Sequence, residues 1–210
     1  MRRTKEDAAR TREQLLDAAE SLFLEKGVSR TSLEEIARAA GMTRGAIYWH
    51  FRNKSDLFQA MHQRADLPLE EMMAQAGTED RPLDALRDLC ISAMRSVRDD
   101  ERRRRVFVII SQKSEYVEEL RSAAERQREQ RRGFMAKSLE IMERAAALGH
   151  LAPEVSPVIA AKALHASMYG FCMDSLRDPE AYDLETDIVA MINVFFRGLR
   201  HDPQSAANTA

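Results

Sequence analysis

Apolar positions along this chain of 210 residues recur at helical spacing, and breakers fall at helix-length intervals. The first stripe is Leu15, Leu16, Ala19, Leu22 and Phe23, one face of a helix that starts between Thr4 and Thr11 and stops at Gly27. "TSLE", Thr31 to Glu34, has the form of a capping box and predicts a short helix through Ile36, Ala37 and Ala40. Gly41 permits a positive-φ turn. Thr43 then caps a third helix, Arg44 to about Phe51, and Asn53 or Ser55 caps a fourth, through Leu57, Phe58 and Met61 to a break at Pro68. Beyond Pro68 the pattern predicts helices at about 69–76, 82–98, 101–113, 116–148, 155–176 and 184–200, followed by a frayed polar tail at 203–210. Alternating strand patterns are absent, so the expected fold is all-α. The last helix carries Ile188, Val189, Met191, Ile192, Val194, Phe195, Phe196 and Leu199, apolar over most of its circumference, and must be covered on two sides. Its own domain covers one. The same helix and the 155–176 helix of a second chain, as a two-fold four-helix bundle, cover the other.

Charge changes the picture only through its distribution. The formal net charge is −2. Residues 1–65 hold 12 Lys/Arg against 9 Asp/Glu, a balance of +3, and the remainder stands at −5. A mildly basic head on an acidic body suits a polyanion partner at the head. The two cysteines, Cys90 and Cys172, sit in apolar settings without metal-ligand spacing. They read as buried thiols, with a redox sensor as the alternative, and exclude a disulfide scaffold or a zinc site. The charged start "MRRTKEDAARTR" runs into no apolar segment, so no signal peptide is expected, and no run of about 18 apolar residues predicts a membrane span. The expected compartment is the cytoplasm.

The short stretch "TRGAIYWHFRNK", residues 43–54, concentrates aromatics beside positive charge. Helix, Gly turn and helix over 33–51 is the spacing of a helix-turn-helix, whose second helix lies in the DNA major groove with its first residues at the base edges. Those residues are Thr43, Arg44 and Gly45. Arg44 can give two parallel hydrogen bonds to guanine O6 and N7, and Gly45 lets the helix approach closely. Tyr48, His50 and Lys54 suit phosphate oxygens. Ile47 and Phe51 read as core, and Trp49 either packs in that core or lies on the DNA backbone.

"TSLEEIARAAGMTRGAIYWHFRNKSDLFQAM" resembles the DNA-binding region of the tetracycline-repressor (TetR) family, and is most similar to members that repress multidrug-efflux pumps. The likeness is dense from about residue 10 to 62; the rest matches in helix number and layout. The resemblance implies an all-α, Ω-shaped homodimer. Each copy would have a three-helix helix-turn-helix DNA-binding domain at 1–67 and a larger helical ligand-binding and dimerisation domain at 68–202, and the two copies would pair through the last two helices. It implies DNA contacts at Thr31, Thr43, Arg44, Gly45, Tyr48, Trp49, His50 and Lys54, with Arg2, Arg3 and Lys5 as a basic arm.

In the body, nine of the 11 methionines lie between Met61 and Met191. Methionine serves either as core filler or where a surface must accept several shapes. His165, Met168, Tyr169 and Cys172 share one helical stripe, read as core or as a pocket wall. Phe107, Ile110 and Ser111, with Cys90 and Met94, are the candidates for the opposite wall, since the resembling proteins line their drug pockets with these helices. "ERRRR", Glu101 to Arg105, and the run Arg126 to Arg132 read as solvated, locally paired helix faces. No phosphate loop, GxSxG, GxGxxG or HExxH motif points to an enzyme, and no cofactor or metal is expected. The reading is a ligand-responsive repressor that binds a partly palindromic operator as a dimer and is released by a hydrophobic, drug-like effector, controlling an efflux operon. The alternative is a DNA-binding regulator or activator with no effector.

Overall fold

The computed structural model describes residues 5–65, 69–114 and 120–200. The Pro68 boundary, Arg2 and Arg3 of the basic arm, the start of the 116–148 helix and the 203–210 tail lie outside them. Among the described residues the chain is helical: α1 Lys5–Lys26, α2 Leu33–Ala39, α3 Arg44–His50, α4 Lys54–Ala65, α5 Leu69–Thr78, α6 Pro82–Asp99, α7 Glu101–Val108, a π-helical turn Ile109–Lys113, α8 Arg121–Ala147, α9 Pro157–Arg177 and α10 Asp187–Leu199. The predicted helix at 101–113 therefore widens over its last five residues.

The helices group into two compact units. One joins Met1–Asp66 to Asp100–Arg128. Its core is Leu15, Leu16, Ala19 and Phe23 of α1, Ile36 of α2, Ile47 and Phe51 from α3 and its cap, Leu57, Phe58 and Met61 of α4, and Val106, Ile109, Leu120 and Ala123 from the later stretch. The Val28 N–H donates to the Lys113 carbonyl at 3.0 Å, tying the turn after α1 to the π turn. Gly27 and Gly41 take φ of 86° and 68°, the left-handed region that a Cβ disfavours. After α2 the Gly41 N–H returns to the Arg38 carbonyl and the Met42 N–H to the Ala37 carbonyl, so α2 closes on its own last turn and releases the chain toward α3.

The capping box sits one residue later than expected. Ser32, not Thr31, caps α2: its Oγ accepts from the Glu35 N–H, and the Glu35 carboxylate accepts from the Ser32 N–H. "TSLEE" satisfies the S/T-x-x-E form in both registers. The Gly27 carbonyl decides between them, because it takes the buried Thr31 hydroxyl at 2.8 Å. The Ser32 backbone bond, then the Ser32 hydroxyl and Lys26, hold Glu35 down at about 2.

The expectation of only local pairing at Glu101 to Arg105 is also corrected. Arg103 and Arg105 do pair with Asp100 and Glu101. Arg102 and Arg105 in addition reach Glu20 of α1, at 4.0 and 3.4 Å, and Arg64 of α4 reaches the same carboxylate at 3.3 Å. Glu20 is 1% exposed.

The second unit, Leu67–Asp99 and Glu129–Ala210, packs α5 and α10 against α6. Leu86, Cys90, Met94, Leu164, Cys172, Ile188, Ile192 and Phe196 lie in its interior. Arg200, just after α10, pairs with Asp84 in the first turn of α6. Val158, Ile159 and Tyr169 of α9 and Val194 of α10 are left to solvent.

Candidate nucleic-acid interface

Helix α3 has two faces. Ile47 is fully buried and Phe51 is 2% exposed, as the stripe predicts. Thr43, Arg44, Gly45, Tyr48 and Trp49 point outward. Trp49 is 71% exposed, so the core-packing alternative falls. Its indole meets the half-buried His50 ring edge-on, with centroids 4.6 Å apart.

Thr43, Arg44 and Tyr48 are each tied to a neighbour. The Thr43 hydroxyl oxygen caps α3 by accepting from the Ala46 N–H at 3.2 Å. A Cβ at Gly45 would meet only that hydroxyl, at 4.0 Å. Among the described residues nothing crowds that position enough to require a glycine, although glycine weakens a helix by about 1 kcal/mol relative to alanine. The Arg44 guanidinium lies over the Tyr48 ring, 5.6 Å from its centroid, and its Nε is 3.2 Å from Glu34 Oε1. The Tyr48 hydroxyl donates to the same Glu34 oxygen at 2.9 Å. Glu34's own backbone N–H, then Tyr48, hold its carboxyl below the usual range, with the Arg44 charge contributing less. A cleft of about 470 Å³ opens beside this group, lined by Arg30, Ser32, Glu34, Tyr48, Arg52 and Asn53 among others.

Two of the implied DNA-contact residues face inward. Thr31 is 1% exposed. Lys54 is 5% exposed, and its ammonium donates to the Ser29 and Thr31 carbonyls at 3.3 and 2.9 Å. It thereby ties the start of α4 to the turn before α2. Lys54→Met keeps the stem and removes the donors, so it should lower stability by about 1–3 kcal/mol, as expected when buried carbonyls lose a charged partner. Urea unfolding checks this; a side chain serving phosphates alone would change it by no more than about 0.5 kcal/mol.

The effector candidates divide between the two units. In the first, Phe107 and Ile110 are half-buried, Ile110 packs on the core, and the Ser111 hydroxyl donates to the Phe107 carbonyl at 2.6 Å. In the second, Cys90 and Met94 are buried one turn apart on α6. Burial pushes the Cys90 thiol up to about 12 and the Cys172 thiol to about 11, which keeps both protonated and unreactive. His165 stacks on Tyr169, planes 2° apart and centroids 6.5 Å apart, with the Phe134 ring 6.1 Å away. Burial, then the Arg131 charge, lowers the His165 pKa. Met168 is half-buried beside them on α9.

Glu34 is the residue that sequence reasoning missed. No local spacing links it to Arg44; the contact exists only once α2 and α3 dock. Glu20 did leave a signal, since it shares the apolar stripe with Leu16 and Phe23, and an acid in such a stripe calls for a buried partner.

Comparison with known proteins finds relatives over nearly the whole chain. Residues 15–61 match the family model of bacterial regulatory proteins of the tetR family, and residues 81–201 match that of the MAATS-type transcriptional repressor C-terminal region. The transcriptional repressor BepR of Brucella suis is 42% identical over 202 residues, 95% of this chain and 97% of its own. NalD, the secondary repressor of the MexAB-OprM multidrug efflux pump in Pseudomonas aeruginosa, superposes with a TM-score of 0.87 at 45% identity, covering 94% of this chain and 100% of its own. A complex of SmeT with triclosan superposes with a TM-score of 0.80 at 35% identity, over 92% of this chain and 93% of its own. SmeT is the repressor of the Stenotrophomonas maltophilia multidrug efflux pump SmeDEF.

Proposed function

The chain belongs to the TetR family of bacterial regulatory proteins, and from that premise we propose that it is a ligand-responsive repressor of a multidrug-efflux operon. The observation that carries the reading is the outward face of α3, where Arg44, Tyr48 and the chain's one tryptophan stand exposed above a buried Ile47. Exposed aromatics grouped on one short helix, rimmed by polar and charged residues, mark an interaction surface. A long planar cation at the helix start, a glycine for close approach and aromatic tips are what a major groove and its flanking phosphates accept.

The DNA side belongs to residues 1–67 and the effector and dimer contacts to 68–202. The solvent-facing Val158, Ile159, Tyr169 and Val194 on α9 and α10 supply apolar area for a second copy. A dimer sets two α3 helices about 34–36 Å apart, one helical turn of DNA. An effector that favours a dimer with another spacing weakens DNA binding, typically about 5- to 150-fold. The efflux assignment follows NalD and SmeT, and the SmeT–triclosan complex supports a hydrophobic effector. On this reading the protein is a binding protein, not an enzyme, and works where the chromosome is, in the cytoplasm. Among the described residues no helix is long and apolar enough to cross a membrane.

The test is a gel shift on the DNA upstream of the protein's own gene, repeated with a panel of hydrophobic drugs. The expected result is a shift that some drugs abolish. A shift indifferent to every drug favours the regulator without an effector; no shift overturns the DNA reading at that site.

A further inference from the structure

Arg44 is the residue best suited to read a base, yet its side chain is already engaged within the protein. Its Nε sits 3.2 Å from Glu34 Oε1, its guanidinium lies over Tyr48, and the Tyr48 hydroxyl donates to that same oxygen at 2.9 Å. The three residues form a closed group on the exposed side of α2 and α3. Nothing in the helix packing demands it: the Arg44 side chain is 74% exposed and Glu34's is 44% exposed. An acid here is costly to a DNA-binding surface, because it stands beside the phosphates that the rest of the face attracts.

We propose that Glu34 is a specificity-determining residue of the DNA site, holding Arg44 away from phosphates until a guanine edge takes the guanidinium. This rests on the operator-binding reading above. The physical basis is competition. A single phosphate offers Arg44 one exposed charge contact, no better than the carboxylate it already has. Guanine O6 and N7 offer two parallel hydrogen bonds in a groove that excludes much of the solvent, which the exposed Nε contact to Glu34 does not match. On random DNA Arg44 therefore stays with Glu34 and neutralises no phosphate. On the operator it moves to the base. Glu34 thus lowers affinity for random sequence and leaves the phosphate count on the operator unchanged, which raises the ratio that governs regulation.

Glu34→Gln tests this with little change of shape, since the amide oxygen still accepts from Tyr48 and the charge alone is lost. The probes are the upstream DNA fragment and a scrambled duplex of equal length and composition, each titrated between 50 and 200 mM salt, the span over which phosphate contacts dominate affinity. The expected result is a salt slope on the scrambled duplex steeper by about 0.9, one additional phosphate, with binding about three- to tenfold tighter near 0.1 M salt. The slope on the upstream fragment stays as it was, and the melting temperature falls by a few degrees at most, because one first-turn carboxylate of α2 loses its charge. In an Arg44→Ala background the same substitution should leave both slopes unchanged. Equal changes on both duplexes, or none on either, overturn the proposal. So does an effect that persists without Arg44, because Glu34 would then be repelling phosphates unaided. If the wild-type protein does not distinguish the two duplexes, the operator reading itself fails before any variant is measured.

Discussion

Arg44→Ala weakens binding to the upstream DNA by about 1–3 kcal/mol, roughly 5- to 150-fold, and the loss is confined to one base position. The size follows from two parallel hydrogen bonds to one guanine. The confinement follows from the position of Arg44 at the start of α3, the end that would meet the base edges on the proposed reading. The side chain is exposed and stabilises nothing buried, so the melting temperature should hold. The measurement is a titration against a set of duplexes, each altered at one position. In the wild type one altered guanine costs as much as the mutation, and in the variant that same change costs nothing. A uniform loss over all duplexes, with a shallower salt slope, would make Arg44 a phosphate ligand.

Replacing Arg64 by Met has the larger effect on stability, about 3–5 kcal/mol, the cost of leaving a buried charge without its main partner. The side chain of Arg64 is 8% exposed and lies 3.3 Å from the buried Glu20, with Glu13 and Asp17 on its outer side. Arg102 and Arg105 also reach Glu20, from α7, but their side chains are 43% and 36% exposed and hold it less firmly. Adding Glu20→Leu to Arg64→Met should recover most of the loss, because an apolar pair needs no desolvated charge. Urea unfolding of the full chain reads both variants; a double variant no better than the single one would sink this account.

The pH dependence has a definite sign. Burial raises the Glu20 carboxyl above its ordinary 4.5, and Arg64, then Arg102 and Arg105, pull it part of the way back. A raised carboxyl binds its proton more tightly when folded. Its contribution is fully present below 4.5 and is lost as pH rises through the folded value. Arg64→Met removes the first of the opposing charges, so the variant should lose stability more steeply than wild type on the way from acid to neutral pH.

These cases show which features a sequence can disclose. The helices, the Gly41 turn and the buried pair Ile47 and Phe51 were legible because they depend on spacing within one or two turns. The choice between Thr31 and Ser32 as cap was not, because both fit the local pattern and a hydrogen bond to Gly27 decides. Lys54 reads as a phosphate ligand from its charge and place, and only the docking of α4 against the Ser29–Thr31 turn brings its ammonium inward. Glu34 and Arg44 meet for the same reason. Pairing at a distance is set by how helices pack, and packing leaves its mark on a sequence only when it forces an exception, as Glu20 does within an apolar stripe.

The first unit is sewn from two separate lengths of chain, and this bears on how such genes can recombine. Val106, Ile109, Leu120 and Ala123 belong to the same core as Leu15, Phe23 and Met61. A crossover that exchanges only the first 66 codons with a relative moves part of that core and leaves the rest behind. The hybrid inherits a seam where the two parents' side chains must fit each other. Heads of this architecture can change hands between lineages only where the stretch from 100 to 128 has kept a compatible surface, or travels with them.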